Sequence, residues 1–163
     1  MLDMSILIYT YFQGRMIIMK SQTTTRLVRY EDLNHHNTLF AGRLSEWFVE
    51  SCFICAAKAT GLPERLVCLE ILDFMVRRPT HNGSLVDFSC RVARAGKSSI
   101  VVYCRVTGND GAVTAEGFIT FVSLDERGKP ALHGVTLDEP EDNDELNVRH
   151  RAHRLYMSSL EGR

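Results

Sequence analysis

An α+β fold, an antiparallel sheet of five to six strands wrapped around one central helix, follows from three features of the sequence. Residues 41–60 place apolar side chains at three- and four-residue intervals, the spacing of a helix. A second apolar line, Val49, Phe53 and Ala57, runs along the same stretch, and a helix apolar on two faces is enclosed on two faces. Beyond it the apolar period falls to two and stays there through residue 125, broken only by glycine-containing turns.

In chain order, residues 23–30 alternate and are β-branched, which predicts a first strand. A polar turn follows at 31–38. The helix then presents Leu44, Trp47, Phe48, Ser51, Cys52, Cys55, Ala56 and Ala59 as its main stripe, and Gly61 with Pro63 stops it. Strands are expected at 66–76, 84–95, 98–107 and 113–125, with hairpin turns at Gly96-Lys97 and Gly108-Asn109-Asp110-Gly111. Residues 135–163 form a charged tail, acidic over 138–144 and then basic at Arg149, Arg151 and Arg154; it reads as a partly helical, solvated end.

The chain of 163 residues fits one core, and the domain is expected over 23–134. Nineteen basic against twenty acidic side chains leave a net charge of -1, so no broad positive field exists to gather nucleic-acid phosphates. Five cysteines, an odd number at buried-looking positions, predict reduced thiols and a cytoplasmic protein. Cys52 and Cys55 form a C-x-x-C inside the helix; no second pair stands nearby in sequence, so core packing is expected and no metal. Residues 1–22 are set apart as an N-terminal extension. Their apolar run is too short to span a bilayer, carries Asp3, and lacks the basic start and cleavage site of a signal peptide, while Met16 and Met19 are alternative starts.

The segment 28–48, with Asn34-His35-His36, Leu39-Phe40-Ala41-Gly42 and Arg43-Leu44-Ser45-Glu46-Trp47-Phe48, resembles the loop-and-helix signature of the hotdog-fold acyl-CoA thioesterases. Gly96-Lys97-Ser98-Ser99-Ile100 is similar to their glycine-basic-serine hairpin, and residues 118–125 with Gly128-Lys129-Pro130 to their last strand and its exit. The resemblance covers roughly 24–133 in unbroken order. It implies a thioester hydrolase acting on acyl-CoA, with coenzyme A present only as part of the substrate and no other cofactor. It also implies a homodimer or trimer of dimers. Phosphates and pantetheine are expected near Lys97, Ser98 and Ser99, with Arg77-Arg78-Pro79 a second place for phosphate or simply a strand end.

Thioester hydrolysis needs an activated water and donors for the oxyanion. A helix N-terminus supplies donors, and Gly42 there would let a substrate carbonyl approach the main chain. Gly42 can equally serve helix packing. The activator is where the sequence departs from the family: the helix carboxylate expected seven residues after Gly42 is Val49, and the turn carboxylate of a related branch is Asn34. Three replacements are open. Asn34 with His36 matches an Asn-x-His turn in acyl-carrier-protein thioesterases, and histidine titrates near neutrality. Glu50 adjoins the vacated position but is rotated by about 100°, and Glu46 lies nearer in angle but a turn earlier. Each has an ordinary alternative: turn histidines are usually solvated, asparagine caps turns, and helix glutamates favour the dipole. The acyl chain is expected in a groove bounded by Leu44, Val49 and Phe53. A non-catalytic or weakly active acyl-CoA-binding protein is the alternative that Val49 raises, and a dehydratase or isomerase on the same fold is a third possibility.

Overall fold

The computed structural model describes residues 16–17 and 21–162. The remaining residues of the N-terminal extension, including its apolar run and Met19, lie outside the described residues. Strand β1 is Met16–Ile17, β2 Gln22–Leu27, β3 Leu66–Val76, β4 Leu85–Ala95, β5 Ser99–Thr107, β6 Val113–Ser123 and β7 Thr136–Leu137. Helix α1 is Ala41–Thr60 and α2 is Asn143–Glu161. One antiparallel sheet has the order β2-β4-β5-β6-β3, and β1 pairs parallel with β7 in a separate two-stranded ladder. The extension therefore contributes a short strand to the fold, and its last residue, Gln22, already belongs to β2.

Helix α1 lies on the sheet with Leu44, Trp47, Phe48, Cys52, Cys55 and Ala56 turned inward, the stripe expected from its spacing. Gly61 ends it with φ 69° and donates its N–H to Ala57 O at 2.8 Å, a left-handed cap that suits glycine. The second apolar line is only half covered: Val49, Phe53 and Ala57 pack against the core but keep one side open. On β6, a Cβ at Gly117 would stand 2.8 Å from Phe74 Cα and 3.2 Å from Phe48 Cζ, so only glycine lets α1 and β3 approach the sheet centre this closely.

The C-terminal tail carries helix α2, and that helix packs on the sheet. Helix α2 is not simply solvated; Val148 and Ala152 are buried on the outer sheet face with Ala93, Val101, Tyr103 and Phe118. Ion pairs join its flanks to the sheet, Arg151 to Asp73 and Glu116, and Asp144 to Arg91 and Arg105. Asp142 starts the helix by accepting from Glu145 N at 2.8 Å. Among the described residues no helix is long and apolar enough to cross a membrane.

Strand β3 is an edge of the sheet, and along it Val67, Leu69, Ile71, Met75 and Val76 are all exposed. Apolar side chains on both faces of an unpaired edge form a surface that favours pairing with another strand.

Candidate active site at the amino end of the central helix

Strand registers divide the sheet into two ends. Val76 opposes Ala115, Thr107 opposes Val113, and Leu27 opposes Leu85, so these termini gather at the end where β2 runs into the 28–40 turn and α1 begins. Leu66 opposes Ser123 and Ala95 opposes Ile100 at the other end, where α1 stops.

At the first end a cleft of about 330 Å³ opens between the turn, the start of α1 and the exit of β3. Asn34, Thr38, Ala41, Leu44, Arg77 and Arg78 line it. Phe40 precedes the helix without capping it through a side chain, and no acidic residue stands in the first turn. The first N–H groups of a helix have no intrahelical partner and sit at its positive end. The cleft therefore meets an uncapped helix N-terminus flanked by two arginines.

The turn is held by its own polar groups. Asn34 Nδ2 donates to Thr38 Oγ1 at 3.0 Å, while Asn34 Oδ1 accepts from the N–H of His36 at 2.9 Å and of Thr38 at 3.3 Å. Asn37 takes φ 59° to complete the bend. Asp32, buried, accepts from Arg29 N at 2.9 Å and pairs with Arg43 Nε at 3.2 Å; Phe40 N and Leu39 N donate to Asp32 O and Thr80 O. The sequence reading passed over Thr38 and Asp32. Both lie in the segment that carried the resemblance, and an aspartate three residues after Arg29 is a cap-forming spacing.

The predicted site residues do not all converge. Asn34 lines the cleft. His36 is exposed in the turn, its ring 4.0 Å from that of His35 and outside the cleft lining. Gly42 is on the first turn of α1, but the Phe40 ring lies over it, so a ligand reaching its backbone must displace or share that ring. Glu50 points along the helix toward β2 and is ion-paired with Arg26; Glu46 pairs with Arg43 at 2.7 Å. Val49 is half-buried against the core.

The hairpin with Lys97, Ser98 and Ser99 is at the opposite end of the sheet, separated from Asn34 by the length of a strand, about 30 Å. Lys97 is exposed and Ser98 half-buried. Ser99 is buried, its hydroxyl taken by Arg94 at 3.1 Å and Tyr156 at 3.2 Å. Nearby His133 accepts from Val135 N through Nδ1 at 3.0 Å and sets Nε2 3.2 Å from Ser99 O; burial holds its pKa below the ordinary histidine value, against the pull of the Ser99 and Gly96 carbonyls. A second cleft, of about 420 Å³, lies at this end beside Glu64, Arg65, Asp125 and Glu126.

An antiparallel sheet cradling a buried helix, with a turn-lined cleft at the helix's amino end, defines a hotdog-fold protein. The family model of the Thioesterase superfamily matches residues 36–115. An uncharacterized acyl-CoA thioester hydrolase of Bacillus subtilis, YkhA, is 31% identical over 127 residues, which cover 74% of this chain and 71% of the relative. The chain belongs to this family of acyl-CoA thioester hydrolases. Among solved structures, the acyl-CoA hydrolase of Staphylococcus aureus in complex with butyryl coenzyme A, coenzyme A and coenzyme A disulfide superposes with TM-score 0.76 at 26% identity, covering 90% of this chain and 94% of that one. An apo hexameric acyl-CoA thioesterase gives 0.75 at 26% identity over 86% and 91%.

Proposed function

We propose that the protein binds acyl-CoA at the amino end of α1 and hydrolyses its thioester, releasing free acid and coenzyme A in the cytoplasm. The observation that carries this reading is the uncapped helix terminus opening onto a cleft that also holds Asn34. Donors fixed before the reaction stabilise developing oxyanion charge without reorganising, which is worth several kcal/mol in such sites. Asn34 is already bonded within its turn, so its amide is held in place to orient a water at the cleft rather than to accept its proton. His36, exposed two residues away, is the group in the turn able to take that proton once a substrate covers it. Arg77, held by Glu116, and Arg78, 4.0 Å from Asp110, border the mouth of this cleft, where the thioester end of the ligand would sit.

A second copy of the chain completes the site in this reading. Two-fold pairing of the apolar β3 edges in one continuous sheet runs antiparallel, which lays the Val76 end of one copy beside the Leu66 end of the other. The cleft at Asn34 then faces the end of the second copy that carries Lys97 and Ser98, and the separation falls from about 30 Å within one chain to about three strand spacings, about 15 Å, across the pair. The half-open line of Val49 and Phe53 would border the acyl channel between them. The hexameric relative is compatible with such dimers assembling in threes.

A specific observation also favours weak activity. In the S. aureus enzyme, alanine variants were made at an asparagine and at an aspartate fifteen residues later; fifteen residues after Asn34 stands Val49. Glu50, beside it, is occupied by Arg26. The second reading is therefore an acyl-CoA-binding protein whose hydrolysis is slow.

Thiol release from acyl-CoA esters of increasing chain length, measured for the wild type and for Asn34→Ala, His36→Ala and Glu50→Gln, tests both. The proposal predicts turnover that falls more than about tenfold, roughly 1.4 kcal/mol of barrier, in the first two variants and not in the third. Tight binding of acyl-CoA with no thiol release selects the second reading.

A further inference from the structure

The Lys97 hairpin is held from outside itself. Gly96 N donates to Ser99 O at 2.7 Å, which closes the turn and leaves Lys97 and Ser98 at its tip. Residues beyond the hairpin engage all three carbonyls that follow: Lys97 O accepts from His133 N at 3.3 Å, Ser98 O from Ser123 N at 2.8 Å, and Ser99 O lies 3.2 Å from His133 Nε2. His133 is 6% exposed and belongs to no strand. Its Nδ1 accepts from Val135 N across Gly134, which takes φ 70°, so the ring proton sits on Nε2 and is donated to Ser99 O. Val135 is buried in the main core and anchors the far end of this tie.

We infer, on the reading above that brings the phosphates of coenzyme A to this hairpin, that His133 is a positioning residue for that ligand: its ring N–H and its backbone N–H set the main chain of the tip before the ligand arrives. A trans peptide directs its C=O and its N–H to opposite sides. The Lys97 carbonyl is turned inward to His133, so the N–H of Ser98 points away from it, next to the exposed Lys97. Backbone N–H groups presented by a turn make an anion-binding concavity, and the lysine adds charge to it. A tip ordered in advance binds without the entropic cost of ordering it on contact. The Ser99 side chain is secured separately, by Arg94 at 3.1 Å and Tyr156 at 3.2 Å, with the Arg94 guanidinium 3.6 Å from the centre of the Tyr156 ring. His133 therefore acts on the backbone of the tip alone.

The test is the Kd of coenzyme A, measured by calorimetry on the full-length protein, for the wild type, Lys97→Ala, His133→Asn, His133→Gln and the double variant Lys97→Ala/His133→Asn. Glutamine places an amide N–H where Nε2 stands and keeps the donor to Ser99 O, whereas asparagine keeps only the acceptor for Val135 N. Lys97→Ala and His133→Asn are each expected to weaken binding at least threefold, His133→Gln to stay within twofold of the wild type, and the double variant to stay within twofold of Lys97→Ala, because both changes remove the same contact. A His133→Asn variant that binds as the wild type does, asparagine and glutamine variants that lose equally, or losses that multiply in the double variant overturn the inference while the hairpin remains a phosphate site. Lys97→Ala protein that binds as tightly as the wild type refutes the phosphate placement itself, and the role of His133 falls with it. If His133→Asn does not fold, nitrogen-15 histidine spectra of the wild type decide: a slowly exchanging proton on Nε2 whose signal shifts on saturation with coenzyme A supports the assignment, and a proton on Nδ1 or a signal that coenzyme A leaves unmoved overturns it.

Discussion

Replacing Val49 by aspartate should convert a slow or unconventional hydrolase into a fast one. Position 49 is two helical turns beyond Gly42, on the half-covered line of α1 that a second copy would close over. A carboxylate there remains in contact with water before assembly, so it can be accommodated. Losing half the burial of a valine costs about 1 kcal/mol, which for a chain of this size lowers the melting temperature by about 2–4 °C. A positioned general base contributes about 10²–10⁴ in rate, or about 3–5 kcal/mol of barrier. The expected result is a rise of about a hundredfold or more in kcat for thiol release, with a small loss of thermal stability. Val49→Asn, of the same shape but unable to accept a proton, should give no acceleration. If Val49→Asp folds, binds coenzyme A and is no faster than the asparagine variant, the assignment of position 49 to the reacting face is refuted.

Three further outcomes follow from the packing. Gly117→Ala forces a methyl group against the Phe74 backbone and the Phe48 ring; overpacking of this kind costs about 1–3 kcal/mol, read as a lower midpoint in urea or on heating, and an unchanged midpoint would contradict the described approach of β3 and α1. Ile71→Lys on the exposed β3 edge should shift the protein to monomers in sedimentation and abolish turnover without unfolding it, whereas an active monomer would remove the second copy from the site. Stability should also fall with acid in two windows. His133 is held neutral by burial with its pKa lowered, so it contributes stability that is lost as pH drops below its unfolded value of about 6.5. Although burial raises it, the Glu116 pKa is lowered overall by Tyr103, Arg77 and Arg151, so its contribution is complete above about pH 4.5 and is lost below that as the carboxylate protonates. Glu116→Gln should flatten the lower window and His133→Gln the upper one in pH-dependent melting curves.

Much of the framework was legible before any coordinates. Gly61 and the strict three-four spacing marked both ends of α1, and the period-two runs located β3, β4, β5 and β6 to within one or two residues. The docking of helix α2 on the sheet was not legible because its contact residues are few and small, Val148 and Ala152, and its remaining attachment is through ion pairs that look like a solvated surface when read along one segment. The site was legible only in part. Asn34 and the start of α1 belong to one continuous segment, so the sequence could place them together. Lys97 and Ser98 are separated from them by strand direction, which depends on which end of the sheet each hairpin occupies. The meeting of the Cys52, Cys90 and Cys104 thiols in the core depends likewise on the opposition of Cys90 and Cys104, a register no local pattern specifies.

A crystal structure of the protein grown with coenzyme A would examine the heart of this account most directly. The account predicts the thiol end of the ligand in the cleft beside Asn34, within hydrogen-bond reach of the first N–H groups of α1, and its phosphates against the Lys97 hairpin of a second copy. Coenzyme A bound far from the 28–40 turn, or held wholly within one chain at the Lys97 end, would contradict it.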